Sequence, residues 1–206
     1  MMDKAMQAAM QQVSLERAHM VAVRASFGAA LHSAENDERA YGDFYGACAD
    51  YLEFIMERFH AQDQASLDML RAKVPKDNID AHRLIDNIDA TFDTSREEIE
   101  KLVDAMKRFK AEGLAGQKTF EQAGRAYVDY CKTQLSKIKH SLRPLSEEYI
   151  TPEEFDRSSF VTPNSIKREQ ELFARVGDAL PEGVPFKVEI EPQKWSSERL
   201  RQKKAE

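Results

Sequence analysis

An apolar period of about 3.6 residues runs through most of the first 145 positions of this chain, and little interrupts it. Of the seven prolines only Pro75 precedes Pro144, and glycine is sparse over the same span. A chain patterned in this way folds as long amphipathic helices that bury their apolar stripes against one another. The first helix is expected over 4–33, with the stripe Val13, Met20, Val23, Phe27 and Leu31. The break that follows, Ala34-Glu35-Asn36-Asp37, is rich in capping residues. A second helix is expected over 38–73, with the stripe Phe44, Cys48, Tyr51, Leu52, Ile55, Phe59, Asp63, Leu67 and Leu70. Pro75 ends it, because the residue before a proline disfavours helical backbone.

The third helix opens near Asp77-Asn78. Its stripe is read as Ile79, His82, Ile85, Asp86, Ile88, Phe92, Ile99, Leu102, Val103, Met106 and Phe109. The period continues through Asp93-Thr94-Ser95, so one long helix is expected, stopped by Gly113. Thr119-Phe120-Glu121-Gln122 reads as a capping box that opens the fourth helix, whose stripe runs from Phe120 through Tyr127, Tyr130, Cys131, Gln134 and Ile138 to Leu142 and Leu145. Four such helices joined by short breaks predict an all-α fold, an up-down four-helix bundle. Thr151-Pro152-Glu153-Glu154 starts a short helix with Thr as cap. Beyond it prolines divide the chain, and the expected organisation is a bundle over 1–158 with an appendage over 159–206. The appendage holds a helix over 165–180, a strand-like alternation from Val184 to Glu191, Trp195 and a basic tail. A lone strand is not stable alone, so it packs on the bundle, pairs with a second chain or stays an extended arm.

The formal net charge of -6 argues against a general nucleic-acid role, since no basic excess is available to neutralise phosphates. No stretch reaches the length of a membrane span, and the N-terminus lacks the apolar core of a signal peptide. Cys48 and Cys131 lie far apart without CxxC spacing and read as buried free thiols, which fits a reducing, cytoplasmic setting. No Gly-rich phosphate loop, nucleophile elbow or HExxH motif is present, so nothing marks an enzyme. His32, His60 and His140 have no paired ligand four residues on and read as surface or boundary residues.

The feature that needs explanation is polarity on the buried stripes. His19, Asp63, His82 with Asp86, and Gln134 place a polar residue on each expected helix, and charged groups are almost never fully buried unless paired. His82 and Asp86 have the i, i+4 spacing that stacks two ligands one turn apart. Bundle cores are where such metal sites are built. The alternative reading is a metal-free network in which these groups bond one another.

Tyr127-Val128-Asp129-Tyr130 through Pro144, with Tyr149 to Phe155 after it, resembles the last helix and tail of hemerythrin-like (HHE cation-binding) domains. The second helix, with Phe59-His60 and Asp63-Gln64, is similar to the family's HHxxEE helix. The resemblance covers residues 13–160. It implies a site on which His19 and His82 match ligand positions, Asp63 stands for a bridging Glu and Asp86 for a second His. Phe59, His60 and Gln134 fall around that site, with Phe59 and Gln134 at positions where the family carries His. Ile138 and Lys139 replace the fourth helix's acidic position. The family's two-iron centre is therefore incomplete here. The expectation is a divergent, non-enzymatic binding or interaction module with a degenerate or absent diiron site. The alternative is a sensor or carrier of one iron, manganese or zinc ion on His19, Asp63, His82 and Asp86. A protein partner or second copy of the chain would meet it through the 181–206 arm, with no nucleic acid and no membrane as partner.

Overall fold

The computed structural model describes residues 4–33, 41–135, 138 and 141–190. Over those residues the chain is all-helical. The elements are α1 (Lys4–Ser33), α2 (Gly42–Lys73), α3 (Ile79–Glu112) and α4 (Leu114–Tyr130), the last running directly into a π turn at Cys131–Leu135. Three shorter helices follow, α5 (Arg143–Tyr149), α6 (Pro152–Ser158) and α7 (Pro163–Asp178). α1 packs on α2 and α4, and α3 packs on α2 and α4, so the four long helices close a ring around the main core, with a second apolar cluster of Leu67, Leu70, Ile85, Ile88 and Ile150 where α2 meets α3. Phe27, Phe44, Tyr45, Tyr51, Phe120 and Tyr127 are the largest side chains sealed inside the main core.

The sequence explains most of the boundaries. Asn78 caps α3 by accepting from the Ala81 amide, satisfying a donor that a helix start leaves orphaned. The helix runs unbroken through Ser95 to Glu112, as its period requires. Gly113 then takes φ 62°, a conformation glycine adopts without steric penalty. α6 begins at the expected cap, Thr151, which completes a capping box: Thr151 and Glu154 exchange side-chain-to-backbone bonds in both directions.

Four expectations are corrected. α4 begins at Leu114, not at Thr119. Gly113 turns the chain back at once, and Gly116 lies so close to Phe109 that a Cβ there would sit 2.9 Å from its Cα. α4 also ends sooner than expected, at Tyr130. A π turn carries an extra residue, which rotates every later side chain by about 100°. Gln134 is consequently exposed, not on the core line. The buried seam of α3 is Ala81, Ile85, Ile88, Ser95, Ile99, Leu102, Met106 and Phe109. Asp86 sits one position past it and its side chain is 72% exposed. Val184–Ile190, expected to pack on the bundle, pair with a second chain or stay an extended arm, takes the first course and forms no strand pairing among the described residues. Val184 enters the main core and Phe186 lies 5.2 Å from Phe173 between ring centroids, so this extended stretch packs on the helices. Trp195, the basic tail, the 34–37 break, Lys139 and His140 lie outside the described residues.

Candidate functional site

The fold holds two arrangements of polar side chains, and they have different consequences.

The first is a latch. α7 lies on α1 and α2, and its Glu169 is completely buried. Glu169 Oε1 bonds His19 Nδ1 at 2.9 Å and accepts from the Tyr51 hydroxyl at 2.9 Å. The His19 ring stacks on Phe173, one turn further along α7, with centroids 3.8 Å apart. Nearby, buried Glu16 pairs with Arg58, whose other terminal nitrogen donates to the Ser159 carbonyl at 2.8 Å. The Glu169 carboxylate and burial together push the Tyr51 hydroxyl far above its ordinary pKa, burial being the larger cause. Burial lowers the Arg58 pKa to about 10. Buried charges of this kind persist only where they are paired and hydrogen-bonded, so the latch ties the C-terminal segment to the helices it covers. Neither carboxylate is among the sequence-predicted site residues, although each lies on an apolar stripe. Glu16 continues the α1 stripe between Val13 and Met20, and Glu169 opens the α7 stripe of Leu172, Phe173 and Val176.

The second is a cavity of about 570 Å³. Met20, Phe59, Phe92, Val128, Leu135, Ile138, Leu142 and Phe155 give it mainly apolar walls drawn from α1 to α6 and the π turn. Val21 and Ala25, exposed on α1, form part of its rim. Several polar groups face this space. Arg24 donates from Nε to the Tyr127 hydroxyl at 3.0 Å and from a terminal nitrogen to Met56 Sδ at 2.6 Å. Burial alone would lower its pKa, but Tyr127, Cys131 and Tyr51 outweigh that and raise it, so it stays a cation. Asp63 pairs with Arg17 at 3.7 Å. Burial raises the Asp63 pKa against the opposing pull of Arg17, Arg96 and Arg58. Gln62 is 1% exposed, and both its amide oxygen and nitrogen lack any hydrogen-bond partner.

His60 also lines the cavity and corrects a sequence expectation. It is buried, not at the surface, and its Nε2 bonds Ser95 Oγ at 2.9 Å. Burial, then Arg96 and Arg24, lower its pKa to about 4, so the ring is neutral. Ser95 is the residue sequence reasoning passed over. Its only signal is that it continues the α3 seam from Ile88 to Ile99 and Leu102. His32, by contrast, is exposed as expected. Cys48 and Cys131 are buried free thiols, with burial raising both pKa values.

The expected metal ligands do not meet. His19 faces Glu169 and Phe173 on α7. Asp63 faces Arg17 at the cavity. Asp86 points outward to Arg71 at 3.4 Å. His82 is half-buried, with its Nε2 buried and without a hydrogen-bond partner. Phe59, where the resemblance implies a His, is a buried ring with the Arg17 and Arg58 guanidinium groups 4.9 and 4.6 Å from its centroid. Two cations stacked there would repel a metal ion. Among the described residues no group of three or more His, Cys, Asp or Glu side chains is gathered to hold one. The described residues therefore do not fit an iron, manganese or zinc centre. Among the described residues no helix is long and apolar enough to cross a membrane. Comparison with family models, with curated proteins and with solved structures finds no match to this chain.

Proposed function

We propose that this chain is a divergent hemerythrin-like four-helix bundle that works as a non-enzymatic binding module, and that the interior where that family holds metal takes an organic ligand instead. The observation that carries the reading is the apolar cavity with the unbonded Gln62 amide in its wall. Cavities of about 300–1,000 Å³ with apolar walls and a few convergent polar groups are the usual form of small-molecule sites. A buried amide left without partners costs about 1–3 kcal/mol, which a ligand would recover. The π turn adds support, since such turns concentrate at functional sites, and Cys131, Lys132 and Leu135 from it line the space. Nothing in the cavity resembles a catalytic set: His60 is neutral and held by Ser95, and the Cys131 thiol is raised in pKa by burial.

Amide NMR spectra of the protein titrated with decanol, a neutral probe of the cavity, test the reading. Saturable one-to-one shifts clustered at Met20, Phe59, Gln62 and Phe92 are expected. An Ala25→Trp variant, which fills the rim, should abolish them. Shifts that fail to saturate or that scatter over the surface would overturn the ligand reading. Protein purified from iron- and manganese-supplemented cells should carry only substoichiometric metal, and a full equivalent would overturn the loss of the metal site.

A further inference from the structure

Arg24 is the group in this cavity whose charge the chain leaves unanswered. Among the described residues four cations line the space, Arg17, Arg24, Lys132 and Arg143, against one carboxylate, Asp63. Arg17 is matched by Asp63, and Arg143 bonds Glu147 at 2.7 Å. Arg24 meets no carboxylate among the described residues. Its partners are a phenol and a thioether, both neutral. Those two bonds use two of the five N–H donors of a guanidinium. The remaining donors form a planar fork of the kind that matches a carboxylate.

The surroundings narrow the head group further. His60 is neutral and so adds no second charge at the site. Gln62 supplies an unused amide, able to donate to an anion or accept from its protonated form. Beyond these groups the walls are apolar, from Phe59 and Met20 to Ile138, Leu142 and Phe155. At about 30 Å³ for a group the size of a water molecule, the cavity holds up to roughly 19 heavy atoms, enough for a medium aliphatic chain and its head group.

We infer that the ligand is an amphipathic monoanion, a medium-chain carboxylate whose head is held by Arg24 and Gln62 and whose chain lies along the apolar wall. The inference rests on the cavity being a ligand site at all. A carboxylate at Arg24 neutralises a cation that the fold otherwise keeps half-buried and unmatched, and a neutral or cationic amphiphile does not. The Arg24–Tyr127 bond and the position of the guanidinium over the Tyr127 ring, 5.4 Å from its centroid, hold the fork in place before the ligand arrives.

Calorimetric titrations of the full chain with decanoate, decanol and decyltrimethylammonium, each below its micelle concentration at pH 7.5, separate the two claims. Decanoate should bind at least about tenfold more tightly than decanol, with the cationic probe weakest, as expected of a charge-assisted contact. Arg24→Gln should lower decanoate affinity about tenfold and decanol affinity by much less, and Gln62→Leu should lower decanoate affinity by a smaller factor. Equal binding of decanoate and decanol to the wild type overturns the anion assignment and leaves the ligand site standing. Absence of binding by all three overturns both. The wild-type ranking decides the matter even where a variant folds poorly.

Discussion

Burial holds the His60 ring neutral, and that has a consequence for stability. In the unfolded chain the ring titrates near its ordinary pKa of 6.5, whereas in the fold burial, Arg96 and Arg24 lower it to about 4. Between those values the unfolded chain binds a proton that the folded chain refuses. Stability therefore rises with pH across this window and is lost on acidification through it. The displacement corresponds to on the order of 3 kcal/mol. His60→Gln keeps a hydrogen-bonding group near Ser95 but has no proton to bind. Urea unfolding at pH 7 and pH 4.5 should show the wild type losing about 2–3 kcal/mol more than the variant. Equal losses would show that the folded ring takes up the proton as readily as the unfolded one. The cavity sharpens this prediction, because protonating His60 would add a further cation to a space that Arg24 already shares with Arg17, Lys132 and Arg143.

Between elements, α4 comes close to α1 at Gly124. A Cβ on Gly124 would lie 2.8 Å from Phe27 Cζ and 2.9 Å from Leu31 Cδ1. Phe27 cannot swing aside freely, since Tyr45 and Phe120 bracket it at 5.9 and 5.8 Å between centroids. Gly124→Ala gains up to about 1 kcal/mol of helix propensity but meets an overpacking penalty of about 1–3 kcal/mol. The expected net effect is a Tm lower by about 2–4 °C in a thermal melt; a raised Tm would mean that the Phe27 ring yields. The contact also shows what kind of information the sequence holds. Helix ends at Lys73 and Glu112 and the cap at Thr151 follow from local signals, because caps, prolines and glycines act within one turn. The α3 seam was harder to read. His82 and Asp86 lie one residue past Ala81 and Ile85, so both registers look apolar until the lower turns fix the choice. The π turn has no local signature, and it moved Gln134 out of the core. His19 was legible as a polar residue on a buried stripe. Its partner was not, because Glu169 is 150 positions away and sequence spacing says nothing about contacts at that range.

At the scale of the molecule, the described part of the C-terminal segment belongs to the same core as the long helices. Leu172, Val176 and Val184 are buried in the cluster that holds Phe27, Tyr51 and Phe59. Phe173 covers His19 and stacks near Tyr51, at 5.8 Å between centroids. A chain ending at residue 158 would expose this face. Each fully buried Leu or Val contributes about 1.5–3 kcal/mol, so three of them account for roughly 5–9 kcal/mol, comparable to the whole stability of an ordinary domain at about 5–15 kcal/mol. Removing α7 also strips Glu169 from Tyr51 and His19, and removing Ser159 strips its carbonyl from Arg58. A buried ion pair that loses part of its hydrogen bonding becomes a liability, because desolvation persists when the compensation is gone. The 1–158 fragment should therefore melt without a sharp cooperative transition and give poorly dispersed amide NMR signals, although its helical circular dichroism survives in part. A truncation after residue 190 keeps every contact named here and should melt as cooperatively as the full chain. If the 1–158 fragment instead melts sharply near the full-length Tm, the four long helices stabilise themselves and the latch is only a cover. The contrast between the two truncations separates the packing of α7 from any contribution of the last sixteen residues.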